Sequence, residues 1–302
     1  MHKHLPKLTT LNLIMRELNY DLKKMCARNK DGSYSTQSSR GRRLQKIANI
    51  LHEKGYRKMS AQSLKPKHID ALIEHWRAEK TSVGTIKNYM SSLRWWAEKI
   101  NKPAIIARDN SHYGIADRVM VSNLNKGQSL DIEKLSNVTD EHVKISLQLQ
   151  SAFGLRREES IKFIPSYADK GSHIILKSTW TKGGKEREIE IKTDYQREVL
   201  KAAHKLAGKG SLIPSNRKFI QQLKIYEGHT IRAGLSKLHG LRHRFAQEMY
   251  LEKTGWNAPV CGGPKSKELS KVQKAIDRQA RLEISKALGH EREQITAIYL
   301  GR

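Results

Sequence analysis

The stretch HGLRHRFAQEM, residues 239–249, repeats its apolar residues at helical spacing, with Leu241, Phe245 and Met249 on one side. His239 and Arg242 fall at i and i+3 on another face of the same helix. Burying the apolar side therefore brings an imidazole and a guanidinium together along a half-buried edge. One buried-edge histidine is most simply a satisfied structural residue, but two cationic donors on one such face are unusual. His243 lies on the neighbouring side and could as readily be structural.

Four other segments in this half of the chain carry polar residues where local structure would present them. In AFGLRREES (152–160), Arg156 and Glu159 stand one helical turn apart, so a carboxylate can orient a guanidinium from behind. HIILKS (173–178) and REIEIK (187–192) read as short strands joined by TWTKGGKE. Gly183 and Gly184 supply the positive φ such a connection needs, which holds Lys182 and Lys185 out on a turn. The chain ends LEISKALGHEREQITAIYLGR (282–302), where a helix closes at Gly289 with His290 just past its cap and Tyr299 on a following short helix.

The N-terminal part is different. Helical spacing runs through 8–27, 37–54, 67–79 and 82–100, the last with Ile86, Tyr89, Leu93 and Trp96 on one face. Thr81 or Ser82 can cap that helix and Pro103 stops it. These periods predict a mainly α fold with a small β-sheet. They divide the chain into a helical domain over 1–105, a linker over 106–128 and a second, α+β domain over 129–302, with helices beginning near Leu130.

With 302 residues and a net charge of +27 spread along the chain, a folded surface of this kind calls for a polyanionic partner. Nucleic acid fits better than a membrane surface, because a phosphate backbone releases counterions on neutralisation. The sequence contains no long apolar run and no signal-peptide core, so the expected location is the cytoplasm, on the nucleoid. Cys26 and Cys261 are far apart and have no metal-ligand spacing.

Taken in order, Arg, Lys, His-x-x-Arg, His and Tyr, each in its own context, resemble the active-site series of the tyrosine recombinases, or phage-type integrases. GLRREE resembles their first arginine box, TKGGKER their hairpin lysine, HGLRH their second box, and LGH with the later tyrosine their third. TIKNYMSSLRWWAEKI (85–100) looks like part of their helical, SAM-like core-binding domain. The resemblance implies an integrase or recombinase of a mobile genetic element that cuts and rejoins DNA. Arg156, His239, Arg242 and His290 would surround the scissile phosphate, with Glu159 supporting Arg156. Lys182 would be the acid, with Lys185 the alternative, and Tyr299 the nucleophile. It also implies a 3′-phosphotyrosine intermediate on double-stranded DNA, no cofactor or metal, and a homotetramer on two duplexes; free in solution the protein can be a monomer. Lys87, Arg94 and Lys99 in the fourth helix, and Lys265, Lys267 and Lys271 further on, are the expected DNA contacts.

The chemistry suits these groups. A phosphodiester repels nucleophiles and has a poor leaving group, so a catalyst must spread charge and protonate the departing oxygen. Arginines bind two phosphate oxygens at once, and a lysine on a turn can deliver the proton. A tyrosine with its ordinary pKa of about 10 needs its proton taken up or its phenolate stabilised by cations.

Two features depart from the family pattern. The stretch from Arg242 to His290 is longer than in compact members, with WNAPVCGGPKSKELSKVQKAIDRQAR (256–281) as the excess and Leu269, Val272 and Ile276 on one side of its basic helix. Past Tyr299 only Leu300, Gly301 and Arg302 remain, where many relatives continue into a helix that docks on the next protomer. The rival readings are a non-cleaving architectural DNA-binding protein on the same fold and a type IB topoisomerase-like nicking-closing enzyme.

Overall fold

Local capping chemistry sets the helix starts in the N-terminal half. The computed structural model describes residues 16–121, 123–290 and 292–302. Helix α1 spans Glu17–Arg28, with its acid in the first turn and its base in the last, as the helix dipole favours. The portion of the first predicted helix before residue 16 lies outside the described residues. Ser33 caps α2 (Tyr34–Glu53) by accepting from the Thr36 N–H, and Pro66 opens α3 (Pro66–Ala78) where a missing N–H costs nothing. Ser82, rather than Thr81, caps α4 (Val83–Lys99).

The four helices close on Leu22, Leu44, Leu51, Leu72, Trp76, Met90 and Trp96. Trp76 stacks on Tyr89 at 4.9 Å, and Trp96 donates its indole N–H to the Ala61 carbonyl at 2.9 Å. The expected linker does not begin at residue 106. Ile106 and Ile115 are buried in this same core, and the Tyr113 hydroxyl accepts from the Ala107 N–H at 2.9 Å. The chain divides into two compact units between Val119 and Met120.

The second unit is built on helices around one hairpin. Helix α5 (Ile132–Ser136) leads into α6 (Glu141–Phe153), and both are capped by aspartates, Asp131 and Asp140. Then come α7 (Arg157–Ile161), α8 (Pro165–Ala168), and the antiparallel strands β1 (His173–Leu176) and β2 (Arg187–Glu190). The register pairs His173 with Glu190 and Leu176 with Arg187. Helices α9 (Asp194–Ala207), α10 (Phe219–Arg232), α11 (His239–Thr254), α12 (Lys271–Ala287) and α13 (Ala297–Leu300) complete the unit. Phe153, Leu176, Leu200, Tyr250, Ile284 and Leu300 share its largest core.

The basic stretch read as an excess resolves into two parts. Two single turns, Pro259–Cys261 and Ser266–Glu268, cross the surface, but α12 itself is a core helix through Ala280, Ile284 and the following Leu288. Leu269 is buried just before α12, while Val272 and Ile276 are exposed, so the three do not form one face. An alternation read from sequence assumes one continuous helix, and Ser270, the N-cap, breaks it.

Candidate active site

Gly154 ends α6 in the left-handed region, at φ +59°, and a Cβ there would lie 2.5 Å from the Phe245 ring. The turn it permits places Arg156 at the start of α7. The backbone N–H of Arg156 donates to Glu159 Oε2 at 2.7 Å, and its Nη1 donates to Oε1 at 2.8 Å. Glu159 is 1% exposed and also receives two bonds from Arg187, at 2.8 and 2.6 Å. Burial pushes the Glu159 carboxyl up, but the hydrogen bond and charge of Arg187, and then the charge of Arg156, outweigh it and hold the group at about 2.

Arg242 is 1% exposed and anchored at its fork. Its Nη1 donates to the Gly154 carbonyl at 2.5 Å and its Nη2 to the Leu288 carbonyl, leaving Nε directed at the Tyr299 hydroxyl at 3.4 Å. Arg156 Nη2 donates to the same Leu288 carbonyl at 3.2 Å. Leu288 caps α12, so the negative end of that helix faces both guanidiniums. Burial, then the Arg156 charge, lower the Arg242 pKa to about 10, which leaves it cationic at neutral pH.

Gly289 turns the chain at φ +66° and sets His290 beside the nucleophile candidate. His290 Nε2 lies 3.3 Å from the Tyr299 hydroxyl, whose residue is 5% exposed on the single turn of α13. Burial and the charges of Arg242, Arg156 and Arg187 pull His290 down to about 4, so its ring is neutral near pH 7. Gln247 donates to the Tyr299 carbonyl at 3.2 Å and to Asn125 at 3.0 Å, tying α13 to the chain entering this unit.

His239 opens α11 at the exposed edge of the site, its ring 6.1 Å from that of Tyr299, and burial followed by the Arg242 and Arg156 charges lowers its pKa. His243 packs closer, at 4.7 Å from the Tyr299 ring; it is buried, and its Nδ1 has no partner among the described residues. Burial, then His239, Lys126 and Arg242, bring it to about 4. The start of α11 is held in place by Gln128, which donates to the carbonyls of Gly240, Ser236 and Lys237.

Lys182 and Lys185 sit on the exposed loop between β1 and β2, with Gly183 and Gly184 at φ +98° and +68°. Thr181 ties this loop by donating its hydroxyl to the Lys185 carbonyl at 2.6 Å. Both lysines line one groove with Arg187, Gly289 and His290. Of the expected DNA contacts, Lys265, Lys267 and Lys271 are exposed. Lys87 pairs with Asp117 at 2.8 Å and Lys99 with Asp31 at 2.8 Å. Arg94 donates to the Ala107 carbonyl and to Asn110, which makes it a clamp on its own unit's 103–115 segment. Among the described residues, no three His, Cys, Asp or Glu side chains gather as a metal site, and no helix is long and apolar enough to cross a membrane.

Arg187 and the Leu288 carbonyl were not legible as site groups from motif order. Arg187 did leave a signal: in R-E-I-E of β2, Arg187 and Ile189 point inward while Glu188 and Glu190 point out. A charged residue on the inward register of a strand requires a buried partner.

The antiparallel hairpin is set among helices, with Arg242 meeting the buried Tyr299 hydroxyl and Arg156 anchored beside it on the same Leu288 carbonyl. Two family models match the chain, phage integrase N-terminal over 15–102 and integrase over 111–248. The chain belongs to the tyrosine recombinases, the phage-type integrases. Its fold resembles that of the XerH site-specific recombinase bound to difH substrate, at 16% identity and a TM-score of 0.54 over 93% of this chain and 80% of that one. It likewise resembles a lambda integrase dimer bound to a COC′ core site (14%, TM-score 0.60, 93% and 76%). The Tn1549 transposon integrase in complex with circular intermediate DNA is similar at 12% identity, with a TM-score of 0.53 and 95% of each chain covered. No curated protein matches by sequence comparison.

Proposed function

We propose that this protein is a site-specific DNA recombinase that cleaves and rejoins DNA strands through a phosphotyrosine at Tyr299. The observation that carries this reading is the hydroxyl of Tyr299 held between Arg242 Nε at 3.4 Å and His290 Nε2 at 3.3 Å. A neutral imidazole at that distance can take the phenolic proton as the oxygen attacks phosphorus. Arg242 then stabilises the developing negative charge without reorganising, because two carbonyls already hold its fork.

Arg156, oriented by Glu159, supplies the second guanidinium for the phosphate oxygens, and His239 at the mouth supplies a further donor. The 5′ oxygen leaves with a proton from Lys182, for which Lys185 is the alternative. The bond formed is tyrosine oxygen to phosphorus, and the bond broken is phosphorus to the 5′ oxygen. Attack by another 5′-hydroxyl reverses both, so neither nucleotide hydrolysis nor a metal is called upon. The bound partner is double-stranded DNA, and the lambda integrase tetramer on a Holliday junction is a precedent for a homotetramer in strand exchange.

A nicked suicide duplex library, incubated with the protein and denatured, tests this. Wild type should yield a covalent protein–DNA adduct, and Tyr299→Phe should bind DNA yet yield none. An adduct that persists in Tyr299→Phe would remove Tyr299 from the role.

A further inference from the structure

Beyond the residues assigned above, Arg187 has a position that packing alone does not explain. It is 7% exposed and places both terminal nitrogens on Glu159, in the bidentate geometry that fixes a carboxylate in two dimensions. Glu159 in turn holds both the backbone and the guanidinium of Arg156. On its other side, Arg187 passes under the third box: a Cβ on Gly289 would stand 2.9 Å from Arg187 Nη1 and 3.1 Å from its Cδ. The residue also begins β2, the strand that leads directly out of the Lys182 loop. Its Nε is buried with no acceptor among the described residues, a cost tolerated where a side chain's position is over-determined.

We infer that Arg187 is a positioning residue for the strand-transfer reaction, setting Arg156 through Glu159 and seating the Gly289–His290 turn by direct contact. Both of its terminal nitrogens are engaged on Glu159 and it is largely buried, so it acts through Glu159 and the Gly289–His290 turn. Two guanidiniums around one carboxylate leave Arg156 its positive charge while denying its fork any freedom to turn. Without Arg187, the buried Glu159 carboxylate has Arg156 as its remaining charged partner and draws that guanidinium onto itself, away from the phosphate. This inference rests on the recombinase reading and is tested together with it.

The measurement is single-turnover adduct formation on the duplex trapped from the suicide library, at saturating DNA, alongside DNA affinity. Arg187→Met should slow adduct formation about 100-fold, the scale of a misplaced reacting group, with affinity nearly unchanged. Arg187→Lys, which keeps the charge but loses the fork, should fall between, and it serves as the test if Arg187→Met does not fold. A duplex with a neutral methylphosphonate at the scissile position needs less charge stabilisation, so the gap between either variant and wild type should narrow on it. Wild-type rates in both variants, or an equal deficit on charged and neutral linkages, would overturn the inference. If wild type itself forms no adduct, the recombinase reading fails first and this role falls with it.

Discussion

His243 shows how burying a single side chain beside this site makes stability depend on pH. A histidine in the unfolded chain titrates near 6.5, whereas burial and neighbouring cations hold His243 and His290 at about 4 in the folded protein. Between those values the unfolded chain binds more protons than the folded one. Stability is therefore complete above the unfolded value, falls as the pH drops through the window, and levels off below it for these groups. Glu159, held at about 2, works in the same direction but only below the ordinary carboxylate range. The expected loss between pH 7 and pH 5 is on the order of 1–3 kcal/mol, read as a lower urea midpoint. His243→Gln should flatten that dependence, and an unchanged slope would show that His243 does not titrate there. The sequence shows these histidines as helix and cap positions, but burial and the neighbouring cations are what make them neutral.

At the scale of elements, the hairpin is the part that motif order leaves ambiguous. Lys182 and Lys185 flank the same glycine pair and line the same groove as His290, so spacing alone does not choose between them. Lys182 immediately precedes Gly183 and is free of the Thr181 tie, which falls on the carbonyl of Lys185. Lys182→Ala should slow adduct formation by about 10²- to 10⁴-fold, the range for loss of a general acid, with binding nearly intact, and Lys185→Ala should leave the rate close to wild type. A reversed order would move the acid to Lys185. The helices themselves were legible: predicted starts at 37, 67 and 82 compare with observed starts at Tyr34, Pro66 and Val83, because caps and apolar periods are local. The 103–115 segment was not legible, because Ile106 and Ile115 are isolated apolar residues whose burial depends on a core made elsewhere in the chain.

Across the whole molecule, the net charge of +27 predicts DNA affinity that falls steeply with salt, by about 10³-fold or more between 50 and 200 mM if six or more phosphates are contacted. Fluorescence anisotropy over that range checks it, and a flat profile would rule out a phosphate-dominated interface. Replacing Lys265, Lys267 and Lys271 together by alanine should reduce the slope by about three if each meets a phosphate. Arg94→Ala should instead lower thermal stability, since that guanidinium clamps its own unit. By itself the sequence determined most of the helices, the hairpin, the strongly basic character and the order of cationic groups, because periodicity, capping and charge act over a few residues or over the whole composition. Tertiary structure alone decided that Arg156 and Arg242 share the Leu288 carbonyl, that Arg187 grips Glu159, and that the Tyr299 hydroxyl sits between Arg242 and His290. Most of those contacts join residues far apart in the chain, and only the packing of α6, α11 and α12 around the hairpin brings their atoms within hydrogen-bonding reach.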